Sequence, residues 1–316
     1  MFVDRCSARS TWRWLGEPTD EGTPVGRAFL DLQNRARAEG RGTQELLTLY
    51  VVERWLARLS ASPYRRQFVL KGGMLLAAFD ARRPTADLDA LARDFANDEA
   101  TVVSRVVAVA AYAVPDDGVE FRPQTVTSRV IRGEDLYSGV RVAMDCALAS
   151  AIVKLRLDVN FGDPVTPAPQ KMELPALRPG GSPISVLGYP IETVLAEKIS
   201  TAITLGSANT RVRDYADVYT LTGSWNIDHA VAREALLATS DHRGADVVAL
   251  SSAIGDFVGL RGRAYAAYRQ GLGPDGTRLP EDFGMVVNAV VAFADRLAEE
   301  APSTTRWNAS TRQWIH

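Results

Sequence analysis

Residues 68–90 read FVLKGGMLLAAFDARRPTADLDA, a stretch that limits the possible folds more than any other in the chain. A β-prone run ends in Gly72 and Gly73, and an apolar run follows. Fourteen residues after Gly73 two carboxylates, Asp87 and Asp89, flank Leu88. The pattern predicts strand, glycine turn, helix, loop and second strand. Strand residues two apart share a face, so Asp87 and Asp89 are expected to converge. Glycines let backbone N–H groups come close to a phosphate, and a helix N-terminus favours negative charge. Two glycines serve tight helix–strand packing equally well, and an Asp-x-Asp pair can be a plain solvated strand edge.

Convergent carboxylates repel, and a hard divalent cation such as Mg²⁺ relieves them through its preference for oxygen ligands. A third acid would complete a two-metal arrangement. Asp158, in KLRLDVNFGDP, is the leading candidate, because its apolar neighbours mark a central strand. Asp163 sits between Gly162 and Pro164 in an expected turn and is the weaker choice. Asp145, between Met144 and Cys146, ranks below both.

The rest of the chain reads as an α+β protein: a mixed sheet with helices, then a helical half. Residues 1–25 read as a polar leader, with Trp12 and Trp14 as possible anchors, and 26–186 as the α/β core. Residues 187–300 read as a helical domain and 301–316 as a polar tail with two tryptophans. Helices are predicted from Val25 to Gly40 and, with Thr43 as N-cap, on to Leu59. Beyond Pro164 a turn-rich link is expected up to Pro190.

Composition narrows the function classes. Lys+Arg 36 against Asp+Glu 38 lacks the basic excess of a dedicated nucleic-acid module, but a local basic stripe fits inside that total. Two cysteines, Cys6 and Cys146, exclude a disulfide framework, and three scattered histidines argue against a zinc site. The most apolar run, VVSRVVAVAAYAV, carries Arg105 and is too short to span a membrane. A soluble cytoplasmic protein is expected.

The helical half adds two constellations. Lys198, in IETVLAEKIS, shares a helix face with Val194 and Leu195, and can either snorkel or reach a nucleotide phosphate. RVRDYADVY follows with Arg211, Arg213, Asp214 and Asp217. Asp214 and Asp217 are three apart on a predicted helix and therefore neighbours. They read either as a solvated salt-bridged face or as an edge turned towards a cleft.

Together, FVLKGGMLLAAFDARRPTADLDA, LRLDVNFGDPV, IETVLAEKI and RVRDYADVY resemble the AbiEii-type nucleotidyltransferase toxins, including the mycobacterial MenT group. The resemblance runs in order from about residue 27 to 225. It implies a minimal nucleotidyltransferase fold like that of DNA polymerase β, with a helical C-terminal half. It implies NTP as substrate, Mg²⁺ or Mn²⁺ as cofactor, transfer to the 3′ acceptor end of tRNA, and a cognate antitoxin of a type IV system. Position by position, Lys71, Gly72 and Gly73 match the phosphate-binding turn. Arg83 and Thr85 match the residues before the acid pair, and Arg82 is an extra charge. Asp87 and Asp89 match the metal ligands, with Asp158 as the third. Lys198 and Asp214 match the catalytic lysine and acid of the later motifs, and Arg211 and Arg213 the nucleotide-binding arginines. Gly73 stands where polymerase β-like enzymes generally carry serine.

The reaction implied is in-line attack of a 3′-hydroxyl on the α-phosphate of an NTP, which needs positioning and charge neutralisation rather than a covalent nucleophile. Arg82, Arg83, Arg141, Lys154, Arg156, Arg211 and Arg213 form the predicted tRNA-phosphate stripe. Two other readings stay open: nucleotidyl transfer to a small molecule or protein, and a catalytically silent RNA- or partner-binding module.

Overall fold

A computed structural model describes residues 22–132 and 138–316. Apart from its last residues, the leader read over 1–25, with Trp12 and Trp14, lies outside the described residues.

The first helix, α1 (Pro24–Ala38), starts where local chemistry says it should. Thr23 accepts a hydrogen bond from the Gly26 N–H at 3.0 Å, and proline takes the first turn. The second, α2 (Thr43–Ala61), departs from expectation: Gly42 occupies the cap position, and Thr43 lies one place inside. No side chain caps this helix. It is held by burial of residues such as Leu46, Tyr50, Trp55 and Leu59, each contributing roughly 1.5–3 kcal/mol.

The sheet begins with β1 (Phe68–Lys71), which runs into α3 (Gly72–Leu75). The helix predicted after the glycine turn is therefore only one turn. It tightens into a 3₁₀ turn, Leu76–Phe79, and ends on Asp80 in the left-handed region. Met74, Leu75, Leu76, Ala77 and Phe79 are all buried, so this run is a plug between strands without the polar face of a surface helix. Then come β2 (Leu88–Ala92), α4 (Glu99–Ala110), β3 (Val119–Phe121), β4 (Thr127–Arg132), β5 (Ser138–Leu148) and β6 (Ala151–Asn160). The expected link beyond Pro164 contains two further strands, β7 (Gln170–Leu174) and β8 (Ile184–Gly188). Their short runs among prolines and glycines disguise them in sequence.

The strand order is β3-β5-β6-β2-β1-β8-β7, with β4 also on β5. The pairs β2–β6 and β1–β8 are parallel, and the remaining pairs are antiparallel. β6 is central, as the apolar flanks of Asp158 implied. Alternation along it is strict: Ala151, Val153, Leu155, Leu157 and Val159 are buried, facing the side where α2 packs. Ile152, Lys154, Arg156, Asp158 and Asn160 point to the opposite face.

Helices dominate from residue 191. They are α5 (Ile191–Leu205), α6 (Val212–Ser224), α7 (His229–His242), α8 (Leu250–Ile254), α9 (Phe257–Gly271) and α10 (Phe283–Leu297). A small sheet joins β9 (Ile227–Asp228) to a terminal hairpin of β10 (Arg306–Asn308) and β11 (Gln313–Ile315). The segment read as a polar tail is thus anchored structure. Trp307 is 1% exposed and donates its indole N–H to the Thr222 carbonyl at 2.7 Å, and Trp314 stacks on Phe293. None of the described helices is long and apolar enough to cross a membrane.

Candidate active site

Gly72 adopts φ +66°, and a Cβ there would lie 2.1 Å from Asp89 Oδ2. The backbone turn and the carboxylate are thus pressed together, and glycine is required for both conformation and space. Gly73 is nearly as confined, since its Cβ would sit 2.9 Å from Thr85 Oγ1. The Thr85 hydroxyl donates to the Asp87 carbonyl at 3.2 Å, holding the approach to β2.

Register then builds a charged row across the sheet. Lys71 pairs with Asp89, Asp89 with Asp158, and Asp158 with Arg141. Burial, then Asp158, with smaller effects from Asp87 and Glu197, push the Asp89 carboxyl up to about 6, against the pull of Lys71. Asp87 lies just before the strand. Its Oδ1 is buried without a hydrogen-bond partner, with the Arg156 guanidinium no closer than 3.9 Å. Both Asp158 oxygens are taken by Arg141, at 2.6 and 2.5 Å.

The opposite wall comes from α5 and α6. Lys198 Nζ donates to Asp214 at 2.8 Å and to Asp217 at 2.7 Å. Arg83 grips Asp217 with two nitrogens, at 2.9 and 3.1 Å. Burial opposes the charge on Lys198, but Asp217 and Asp214 outweigh it and raise its pKa. Burial likewise opposes ionisation of Asp214, and Lys198 outweighs that, holding the carboxyl low. Lys71 is bound by Asp163 and, at 2.8 Å, by Glu197, which raise its pKa against burial. Tyr189 also donates to Asp163, at 3.2 Å.

These walls enclose a cleft of about 510 Å³. Lys71, Gly72, Gly73, Arg83, Thr85, Asp87, Asp89, Asp158, Lys198, Arg211, Arg213 and Asp214 all line it, so every site residue chosen from sequence meets in one place. Arg211 and Arg213 are exposed and make no ion pair among the described residues. Asp163 stands behind the cleft as the anchor of Lys71, and Asp145 pairs with Lys154 at 2.8 Å outside it. Of the basic stripe, Arg82 turns away to the Pro175 carbonyl at 2.7 Å. Sequence reasoning missed Glu197, beside Lys198, and Arg243, which donates to the Glu197 carbonyl at 3.2 Å and to Thr201 at 3.0 Å. Adjacency to Lys198 was a usable signal for Glu197. Arg243, at the far end of α7, carried none.

Among the described residues, no group of three or more His, Cys, Asp or Glu side chains is gathered as a ready-made metal site. Asp87 and Asp89 nevertheless fit a cation, through the orphaned Asp87 Oδ1 and the raised Asp89 carboxyl. Asp158 keeps a free lone pair on each oxygen beside Arg141, whose charge competes there with a cation.

The chain belongs to the AbiEii nucleotidyl transferase toxin family of type IV toxin–antitoxin systems, whose profile matches residues 54–312. Among solved structures it is similar to a nucleotidyltransferase from H. pylori described as putative, at 16% identity and TM-score 0.46, over 82% of this chain and 100% of that one. It is also similar to the nucleotidyltransferase toxin MenT4 of Mycobacterium tuberculosis H37Rv, at 17% identity and TM-score 0.46, over 87% and 99% of the two chains. No curated protein matches the chain in sequence.

Proposed function

We propose that this protein is a Mg²⁺-dependent toxin that transfers a nucleoside monophosphate from an NTP to the 3′ acceptor end of tRNA. Such transfer blocks aminoacylation, and a cognate antitoxin restrains it. The observation that carries the reading is the convergence of the glycine turn, the Asp87–Asp89 pair and the Lys198–Asp214 pair on one cleft. The reading places the enzyme in the cytoplasm, where charged tRNA is consumed, with residues 26–186 supplying the carboxylates and 187–300 the opposing wall.

Asp87 and Asp89, with Asp158 as a third acid, would hold Mg²⁺ or Mn²⁺. When bound, the ion neutralises triphosphate charge and acidifies the attacking hydroxyl. The chain's own residues do the positioning. Gly72 and Gly73 present a side-chain-free backbone to the phosphates; the single turn of α3 leaves the local N–H groups, more than a helix dipole, to do this. Arg211 and Arg213 can turn onto the β- and γ-phosphates without breaking an ion pair among the described residues. Lys198, fixed by Asp214 and Asp217, supplies a charge that does not wander. The 3′-hydroxyl gives its proton to water as its oxygen bonds to the α-phosphorus, the P–O bond bridging the α- and β-phosphates breaks, and pyrophosphate leaves with the electron pair.

Incubation with total tRNA, Mg²⁺ and each labelled NTP in turn tests the reading, with label expected on the tRNA 3′ end. Label on a small molecule or on protein instead, or none with any NTP, would refute it.

A further inference from the structure

The charged row does not stop at Arg141. Arg129 on β4 stands directly opposite Arg141 on β5. Like charges facing each other destabilise a strand pair, and here Asp89–Asp158 and Arg141–Arg129 are two such pairs side by side. The first suits a cation, and by the same logic the second suits an anion. Arg129 is exposed, and its side chain makes no ion pair or hydrogen bond among the described residues. One register step along, Arg156 projects from the same face, its side chain 44% exposed, opposite the small Ala143. Along β4 on the way to this pair, Thr127, Ser128 and Val130 are exposed as well.

We infer that the open face of β4, β5 and β6 is a track for the single-stranded 3′ end of the RNA acceptor, with phosphates on Arg129 and Arg156 and the terminal hydroxyl at Asp87 and Asp89. The inference rests on the reading of the cleft as an RNA nucleotidyltransferase site. Charge complementarity selects a polyanion. The cleft's size selects a single strand, since about 510 Å³ is the volume of a small-ligand site and admits an NTP and a strand end, not a duplex. Three strand spacings of about 4.8 Å put Arg129 roughly 14 Å from Asp89. At about 3.4 Å per nucleotide in a stacked strand, that is about four nucleotides, matching the unpaired acceptor end of a tRNA. The track also divides the earlier basic stripe: Arg156 belongs to it, while Arg141, Arg83 and Arg82 are committed to Asp158, Asp217 and the Pro175 carbonyl.

The test compares the full-length wild type with Arg129→Glu, Arg129→Gln and the charge-matched control Lys171→Glu, which lies on β7 away from the cleft. Anisotropy measures binding of RNA hairpins with a four-nucleotide 3′ overhang or a blunt end, and calorimetry measures binding of a non-hydrolysable NTP. The expected result is at least tenfold weaker overhang binding for Arg129→Glu, a smaller loss for Arg129→Gln, and a shallower salt dependence for both. NTP affinity should be unchanged, Lys171→Glu should match wild type, and wild type should prefer the overhang to the blunt end. If wild type labels tRNA while Arg129→Glu binds and labels it equally well, the track falls and the catalytic reading stands. Equal binding of blunt and overhang RNA also overturns the track. If wild type binds NTP but neither binds nor labels any RNA, the track and the reading beneath it fall together.

Discussion

Asp89 on β2 and Asp158 on β6 stand directly opposite each other in a parallel strand pair. With no cation between them, this juxtaposition costs stability, and the cost fixes how the site should respond to pH, metal and mutation.

Asp89 gives the pH prediction. Its carboxyl is raised to about 6, first by burial and then by Asp158. A raised folded value means that the folded protein holds the proton more tightly than the unfolded chain does. This stabilising contribution is complete below about pH 4 and is lost as pH rises through about 6. Asp89→Asn should therefore raise the melting temperature of the metal-free protein at pH 7, by roughly 2–3 kcal/mol of relieved penalty. The two proteins should converge near pH 4, and transfer activity should vanish. A variant less stable than wild type at pH 7 contradicts this account.

Arg141 is the built-in counter-cation of Asp158. Arg141→Met should free that carboxylate and tighten Mn²⁺ binding in the absence of nucleotide by severalfold, read by electron paramagnetic resonance. Unchanged or weaker binding would show that Asp158 takes no part in holding metal.

Gly72 offers a steric test. Gly72→Ala meets both a left-handed backbone and the Asp89 carboxylate, so a loss of about 2 kcal/mol or more is expected, with activity abolished. Gly73→Ser meets no left-handed backbone and collides chiefly with the Thr85 side chain, with Arg83 Nη1 next at 3.3 Å. Combining it with Thr85→Gly should recover most of the stability in denaturant melts. No recovery would mean that the crowding lies elsewhere.

Asp217 and Asp214 should separate structure from catalysis. Asp217 is 5% exposed and holds both Arg83 and Lys198, so Asp217→Ala strands the buried Arg83 and leaves Lys198 with Asp214 alone, at about 3–5 kcal/mol. Asp214→Ala leaves Lys198 a partner, and should lower transfer far more than melting temperature. Equal stability losses in urea titrations would sink this division.

The sequence carried the lining of the candidate cleft better than the strands that frame it. Asp87, Asp89 and the glycine pair were legible because the period of a strand and the stereochemistry of glycine are local properties. Lys198 and Asp214 were legible as chemistry, but their salt bridge is a tertiary fact. β7 and β8 escaped because ISVLG and QKMEL are short runs hidden among prolines and glycines, and β8 is fixed by parallel pairing with the distant β1. The hairpin around Trp307 escaped because its polar surroundings resemble a tail, whereas burial of one indole decides the matter. Arg129 looked like any surface arginine until register set it opposite Arg141.

Two contacts tie the cleft's walls together, Lys71 to Glu197 and Arg83 to Asp217. Both cations also line the cavity where phosphates are expected. The clasp and the grip are therefore the same side chains. Each phosphate that draws on Lys71 or Arg83 competes with the carboxylate that clasps it, so the charge that would hold a nucleotide is borrowed from the seam between the two walls.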